Sequence, residues 1–107
     1  MNNDRLSMLE SYIESDPDDP FNWYALGMEY KPIDVQKSLG YFIHLLEKFP
    51  EYLATYYQAA ELLLAINEKD KAEETLKAGI LLAQKQGNSN TLRELQNELN
   101  NLLFDDE

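Results

Sequence analysis

Trp23-Tyr24-Ala25-Leu26-Gly27-Met28-Glu29-Tyr30 decides how the rest of the chain is read. Moved along the chain by 33 residues, it falls on Tyr56-Tyr57-Gln58-Ala59-Ala60-Glu61-Leu62-Leu63. Trp23, Leu26, Gly27 and Tyr30 then meet Tyr56, Ala59, Ala60 and Leu63: aromatic on aromatic, small on small, apolar on apolar. At the same shift Pro17 meets Pro50, and Leu9, Tyr12 and Ile13 meet Phe42, Leu45 and Leu46. Further along, the shift becomes 34, with Ser38, Phe42 and Ile43 on Ala72, Leu76 and Lys77. The added residue lies beyond Leu63 and before Ala72, where a turn absorbs it. Self-similarity at a period of about 20–50 residues marks a solenoid, whose units bury their apolar faces only by stacking.

Each copy reads as helix. Leu6, Leu9, Tyr12 and Ile13 recur at three- and four-residue spacing, as do Leu39, Phe42, Ile43 and Leu46, and then Leu76, Gly79, Ile80 and Ala83. The stops fall between these runs. Asp16-Pro17-Asp18-Asp19-Pro20 ends one helix, caps the next with Asp19 and starts it with Pro20. Pro32 closes the second helix and Asp34 caps the third. Gly87 supplies a left-handed residue after the fifth. Thr91 and Glu94 have capping-box spacing for the sixth, which carries Leu92, Leu95, Leu99 and Leu102. The expectation is all-α, about six helices over 4–15, 20–30, 34–48, 52–66, 69–85 and 90–103. Gly27 and Ala60, with Gly79 and Ala72 opposite, are expected where helices cross, since only small side chains allow the closer approach.

Composition agrees with one modest globular domain. The 107 residues are 44% hydrophobic and 27% charged, with four glycines, four prolines and no cysteine. The last fact excludes disulfides, thiolate metal sites and cysteine nucleophiles. A net charge of −11 argues against nucleic acid and against a membrane surface as partners. No basic segment runs into an apolar one at the start, and no apolar stretch approaches membrane-spanning length, so a cytoplasmic location is expected. Residues 1–20 hold six acids and one base and residues 86–107 five acids and one base, so the two ends are the acidic parts.

Trp23-x-x-Leu26-Gly27-x-x-Tyr30, followed by Ser38-x-x-x-Phe42 and Pro50, resembles a tetratricopeptide repeat. The second copy, Tyr56-x-x-Ala59-Ala60-x-x-Leu63 with Ala72-x-x-x-Leu76, is similar but has Gln84 where the proline stands. The resemblance implies an α-solenoid of antiparallel helix pairs in a right-handed superhelical stack. It divides the single domain into a half-repeat helix at 4–15, a first repeat at 20–50, a second at 52–86, a capping helix at 90–104 and an acidic tail at 105–107. In the last helix Leu92, Leu95 and Leu99 match Tyr56, Ala59 and Leu63 at a shift of 36, and Gln96 stands at the small position.

The resemblance also implies a concave groove lined by the first helix of each repeat. Tyr24 and Tyr57 each follow a buried-register aromatic by one residue, about 100° round the helix. The groove candidates are Phe21, Tyr24, Met28 and Lys31, then Tyr57, Gln58, Glu61 and Leu64 (with Ala54 at the start of their stripe), then Arg93, Asn97 and Asn100 with Asn90. Rings and Met28 offer adaptable apolar contact, the amides pair with a peptide backbone, Glu61 takes a cation and Arg93 a carboxylate. Relatives that grip chaperone carboxylates use lysine, arginine and asparagine where this chain has Tyr24, Met28, Tyr57 and Glu61. Only Arg93 and Asn97 reproduce part of such a clamp. Against the groove stands a plain solvated surface with two partly buried tyrosines.

Other candidates read as structural. Trp23, Tyr30, Phe42, Phe49 and Tyr56 lie in the buried register rather than forming a base-stacking platform. His44, the only histidine, has neither a nucleophile beside it nor two further metal ligands. The Asp16–Pro20 run lacks the glycine and distal glutamate of a calcium loop. No catalytic, cofactor or metal residue is therefore expected. A non-enzymatic module binding a protein or peptide partner is the first reading, and a weak homodimer through the terminal helices the alternative.

Overall fold

The computed structural model describes residues 3–104, with side chains from residue 4; the acidic tail at 105–107 lies outside the described residues. Within them the chain is all-α: α1 (Asn3–Ser15), α2 (Pro20–Tyr30), α3 (Val35–Lys48), α4 (Ala54–Ala65), α5 (Lys69–Gln86) and α6 (Ser89–Phe104). Every expected helix forms: α2 has the expected bounds, and no end elsewhere is shifted by more than two residues.

The stop signals act as local hydrogen bonding requires. Asp19 accepts from the Phe21 N–H at the start of α2, with Pro20 at the first helical position, where its missing N–H costs nothing. Asp34 caps α3 by accepting from the Lys37 N–H. Gly87 ends α5 at φ 70°, in the left-handed region that lacks a Cβ penalty only for glycine. The start of α6 differs from the capping-box expectation. Asn88 Oδ1 accepts from the Thr91 N–H at 3.0 Å, and the helix begins at Ser89, so Thr91 lies inside the first turn. An asparagine three residues earlier satisfies the same orphan donor and takes the capping place.

The chain divides between Tyr52 and Leu53 into two compact units. In the N-terminal unit α2 packs on α3 and α1 packs on α2. Leu6 and Leu9 of α1 close over Leu26 and Tyr30 of α2, with Ile13, Ala25 and Tyr41 around them. At the α2–α3 crossing Gly27 lies directly against the Phe42 ring: a Cβ there would stand 2.7 Å from two of its carbons. Beside them, buried Ser38 donates its hydroxyl to the Gly27 carbonyl at 2.6 Å. In the C-terminal unit α4 packs on α5 and α5 on α6. Ala59, Ala60, Ala72, Leu76, Ala83 and Leu95 are buried, and a Cβ on Gly79 would stand 2.7 Å from Tyr56 Cβ and 3.1 Å from Leu95 Cδ1. Gly27 and Gly79 therefore stand at helix contacts as the spacing placed them, and Ala60 and Ala72 are buried.

Some stripe residues are not buried. Tyr12 is 45% exposed and Ile43 39% exposed, and Trp23 and Phe49 are only half-buried, whereas Tyr30, Phe42 and Tyr56 are buried as expected. A stripe read at three- and four-residue spacing is wider than the contact line of one crossing, so its edge residues stay partly wet.

Candidate functional site

In the N-terminal unit, Phe21, Tyr24 and Met28 follow one another at helical spacing along α2, and Lys31 continues the spacing at its C-cap. Phe21 is 58% exposed and Met28 36%, while Tyr24 and Lys31 are half-buried. Leu26, Gly27 and Tyr30, on the other side of the same helix, carry the core. Tyr24 is held in place by two rings. Phe42 meets it edge-on at 5.6 Å and Tyr52 lies 5.8 Å away, both within the range of favourable aromatic pairing. Partial burial, then Tyr24 and the charge of Asp19, push the Tyr52 phenol above its ordinary value.

In the C-terminal unit, Tyr57, Gln58, Glu61 and Leu64 are all half-buried on α4. The Tyr57 hydroxyl donates to Glu98 Oε1 of α6 at 3.4 Å. Its ionisation is pushed up to about 12, first by partial burial and then by the negative charges of Glu61 and Glu98, which also accept its hydrogen bond. Each cause disfavours a phenolate, so the group stays a neutral donor shared by two carboxylates. Arg93, Asn97 and Asn100 are exposed on α6. Asn97 and Asn100 line an open hollow of about 590 Å³ with Ile80, Leu81 and Gln84 of α5 and Gln96 of their own helix. Thus Tyr57 and Glu61 join Glu98, while the asparagines gather with α5.

Glu98 was missed because it lies one residue beyond the 93–97–100 stripe. Its signal was present, however: at the shift of 36 it matches Leu62, which is buried, and a carboxylate in a buried register demands a partner. A second grouping was also missed. The Trp23 and His44 rings lie 3.9 Å apart, Phe49 stands 6.2 Å from His44, and the Trp23 indole N–H donates to the Pro17 carbonyl at 2.8 Å. Asp19, from the run compared with a calcium loop, is spent on its helix cap. Among the described residues no three histidine or carboxylate side chains converge on a metal position, and no helix is long and apolar enough to cross a membrane.

A family model described as tetratricopeptide repeat matches residues 34–95. The solution structure of a tetratricopeptide repeat domain protein from Salinibacter ruber is 35% identical over 81% of this chain and 89% of its own, with a TM-score of 0.76. A crystal structure of a tetratricopeptide repeat domain protein from the same organism is 33% identical over 80% and 98%, with a TM-score of 0.77. A solution structure from Bordetella parapertussis, 22% identical over 94% and 89% with a TM-score of 0.79, shares the fold. No protein of curated function matches the chain.

Proposed function

The chain belongs to the tetratricopeptide repeat family, and on that premise we propose that it is a non-enzymatic module that binds a segment of another protein on the outward faces of its first-in-pair helices. The fold in general serves protein–protein interaction. What supports the finer reading is the division of α2: Leu26, Gly27 and Tyr30 are buried, while Phe21 and Met28 stay in solvent beside a clamped Tyr24. Large apolar side chains grouped in water beside a rigid ring are the composition of a contact surface. Tyr57 with Glu61 and Glu98 supplies the C-terminal unit with a polar anchor suited to a cationic or amide-bearing group. A face held by packed helices binds without ordering itself first, so a few anchors carry most of the affinity. Without cysteines the chain needs no oxidising surroundings, and the proposal places it in the cytoplasm.

The test is replacement of Tyr24 and Tyr57 together by alanine, followed by affinity capture from native lysate. Capture of the partner is expected to disappear while far-ultraviolet helicity is retained; undiminished capture ends the reading.

A second reading, weak self-association, is favoured by Leu81 at 67%, Leu103 at 46% and Phe104 at 70% exposure on the last two helices. Sedimentation across a wide concentration range decides it, and a chain that stays monomeric at high micromolar concentration removes it.

A further inference from the structure

The N-terminal unit carries a second surface that the helix faces above do not use. Two hollows, of about 460 and 340 Å³, share Phe49 and Lys48 as a common wall. The larger is also lined by Pro20, Pro50 and Tyr52, the smaller by Pro17, Trp23 and His44, and both open to solvent. Three of the chain's four prolines and four of its rings thus border one continuous strip. Its walls are stiff. Prolines fix their own φ, the Trp23 ring is tied by its N–H to Pro17 and lies tilted against His44 at 3.9 Å, and Tyr52 is braced by Tyr24.

The charge on the rim is acidic. Asp18 borders the smaller hollow and Glu51 the larger. Asp19, committed to its cap, is near enough for Tyr52 to feel its charge. Lys48 is the base on the shared wall, where its methylene stem adds apolar surface and its ammonium reaches outward.

We propose that this strip is a docking site for an extended proline-rich segment of another protein with an arginine or lysine beside the prolines. Prolines in the polyproline conformation project every third residue, carry no ordering cost and seat their flat rings in slots walled by aromatic side chains. Two adjacent aromatic-walled hollows that share Phe49 offer such rings two neighbouring seats. The acidic rim selects the basic flank, because a cation meets Asp18 and Glu51 there while an acidic flank is repelled in a chain of net charge −11. The site is distinct from the Phe21–Met28 and Tyr57 faces and touches the first only through Tyr24, which braces Tyr52. Met28 and Tyr57 rather than Tyr24 therefore serve as the controls that separate the two proposals.

Trp23 is the only tryptophan, so its fluorescence reports occupancy directly. The probe is a synthetic Leu-Pro-Pro-Leu-Pro peptide flanked by arginine, titrated into the full chain. A saturable change is expected, and a glycine–serine peptide with the same arginines should give none. Asp18 is exposed, so Asp18→Lys leaves the fold intact, which circular dichroism verifies. This variant is expected to weaken the arginine-flanked peptide about three- to tenfold and to improve binding of a glutamate-flanked one. Met28→Ala and Tyr57→Ala, on the helix faces, should leave the affinity unchanged. The proposal is overturned by an absent signal, by equal binding of the glycine–serine peptide, or by loss of binding in Met28→Ala or Tyr57→Ala. It is equally overturned if Trp23 fluorescence shifts with protein concentration alone, which assigns the strip to a second copy.

Discussion

The α2–α3 and α4–α5 crossings solve one geometrical problem with different materials. In the first, Gly27 lies under the Phe42 ring and Ser38 locks the Gly27 carbonyl. In the second the matching positions hold Ala60, Leu76 and Ala72. A glycine with a phenylalanine has become an alanine with a leucine. What the repeat keeps is the gap between two backbones and the volume that fills it, because interiors are packed to near-crystalline density. Identity at each position is free as long as that sum is kept. The hydroxyl of Ser38 is an addition special to the first crossing, and the same unit carries the ring pairs Trp23–Tyr41 and Tyr24–Tyr52, whereas the core of the C-terminal unit is rich in alanine and leucine.

The largest test of this contrast removes the bulky partner from each crossing. Phe42→Ala is expected to cost about 3–5 kcal/mol and Leu76→Ala about 2–5, the former being the larger because Gly27 has no side chain to relax into the void. Denaturant unfolding measures both, and a smaller loss for Phe42→Ala breaks the argument. Next comes Gly27→Ala, whose new Cβ collides with the ring and should cost about 1–3 kcal/mol. The double variant Gly27→Ala with Phe42→Leu transplants the second crossing into the first, and should recover most of the loss relative to the sum of the single changes.

Two buried hydroxyls then separate the units by sign. Ser38→Ala should cost about 1 kcal/mol, since it deletes a made hydrogen bond. Thr55 on α4 is fully buried and its Oγ1 has no hydrogen-bond partner among the described residues, so Thr55→Val should raise stability by up to about 1 kcal/mol. Thermal melts compare the pair; equal signs defeat the distinction. The smallest effect is alkaline. Tyr57 ionises near 12 in the folded chain against 10.0 for an ordinary phenol, so its share of stability is complete below pH 10 and is lost as pH rises through about 12. Phenolate absorbance should show this late titration, and Glu98→Gln should bring it toward the ordinary value.

The helix ends show how far local signals reach. Asp19, Asp34, Pro20 and Gly87 act within a turn of where they stand, and each does what its residue type does in any helix. The start of α6 is also a local matter: the spacing pointed to Thr91, but Asn88, a residue type equally suited to capping, accepts from the Thr91 N–H. At the candidate sites the residues were legible one helix at a time. Phe21 and Met28 are exposed on one helix, seven residues apart, whereas Glu98 meets Tyr57 from a position 41 residues away.

Periodicity, caps and the 33-residue echo determined the helices, their order and the family, because those features act through neighbours three and four residues apart or through copies of one unit. Tertiary structure alone decided that His44 lies on Trp23, that Phe49 walls two hollows, and that Tyr57 shares its proton with carboxylates of two helices. Such meetings depend on how far packed helices roll and how closely they approach, and a few ångströms of either decide whether side chains touch.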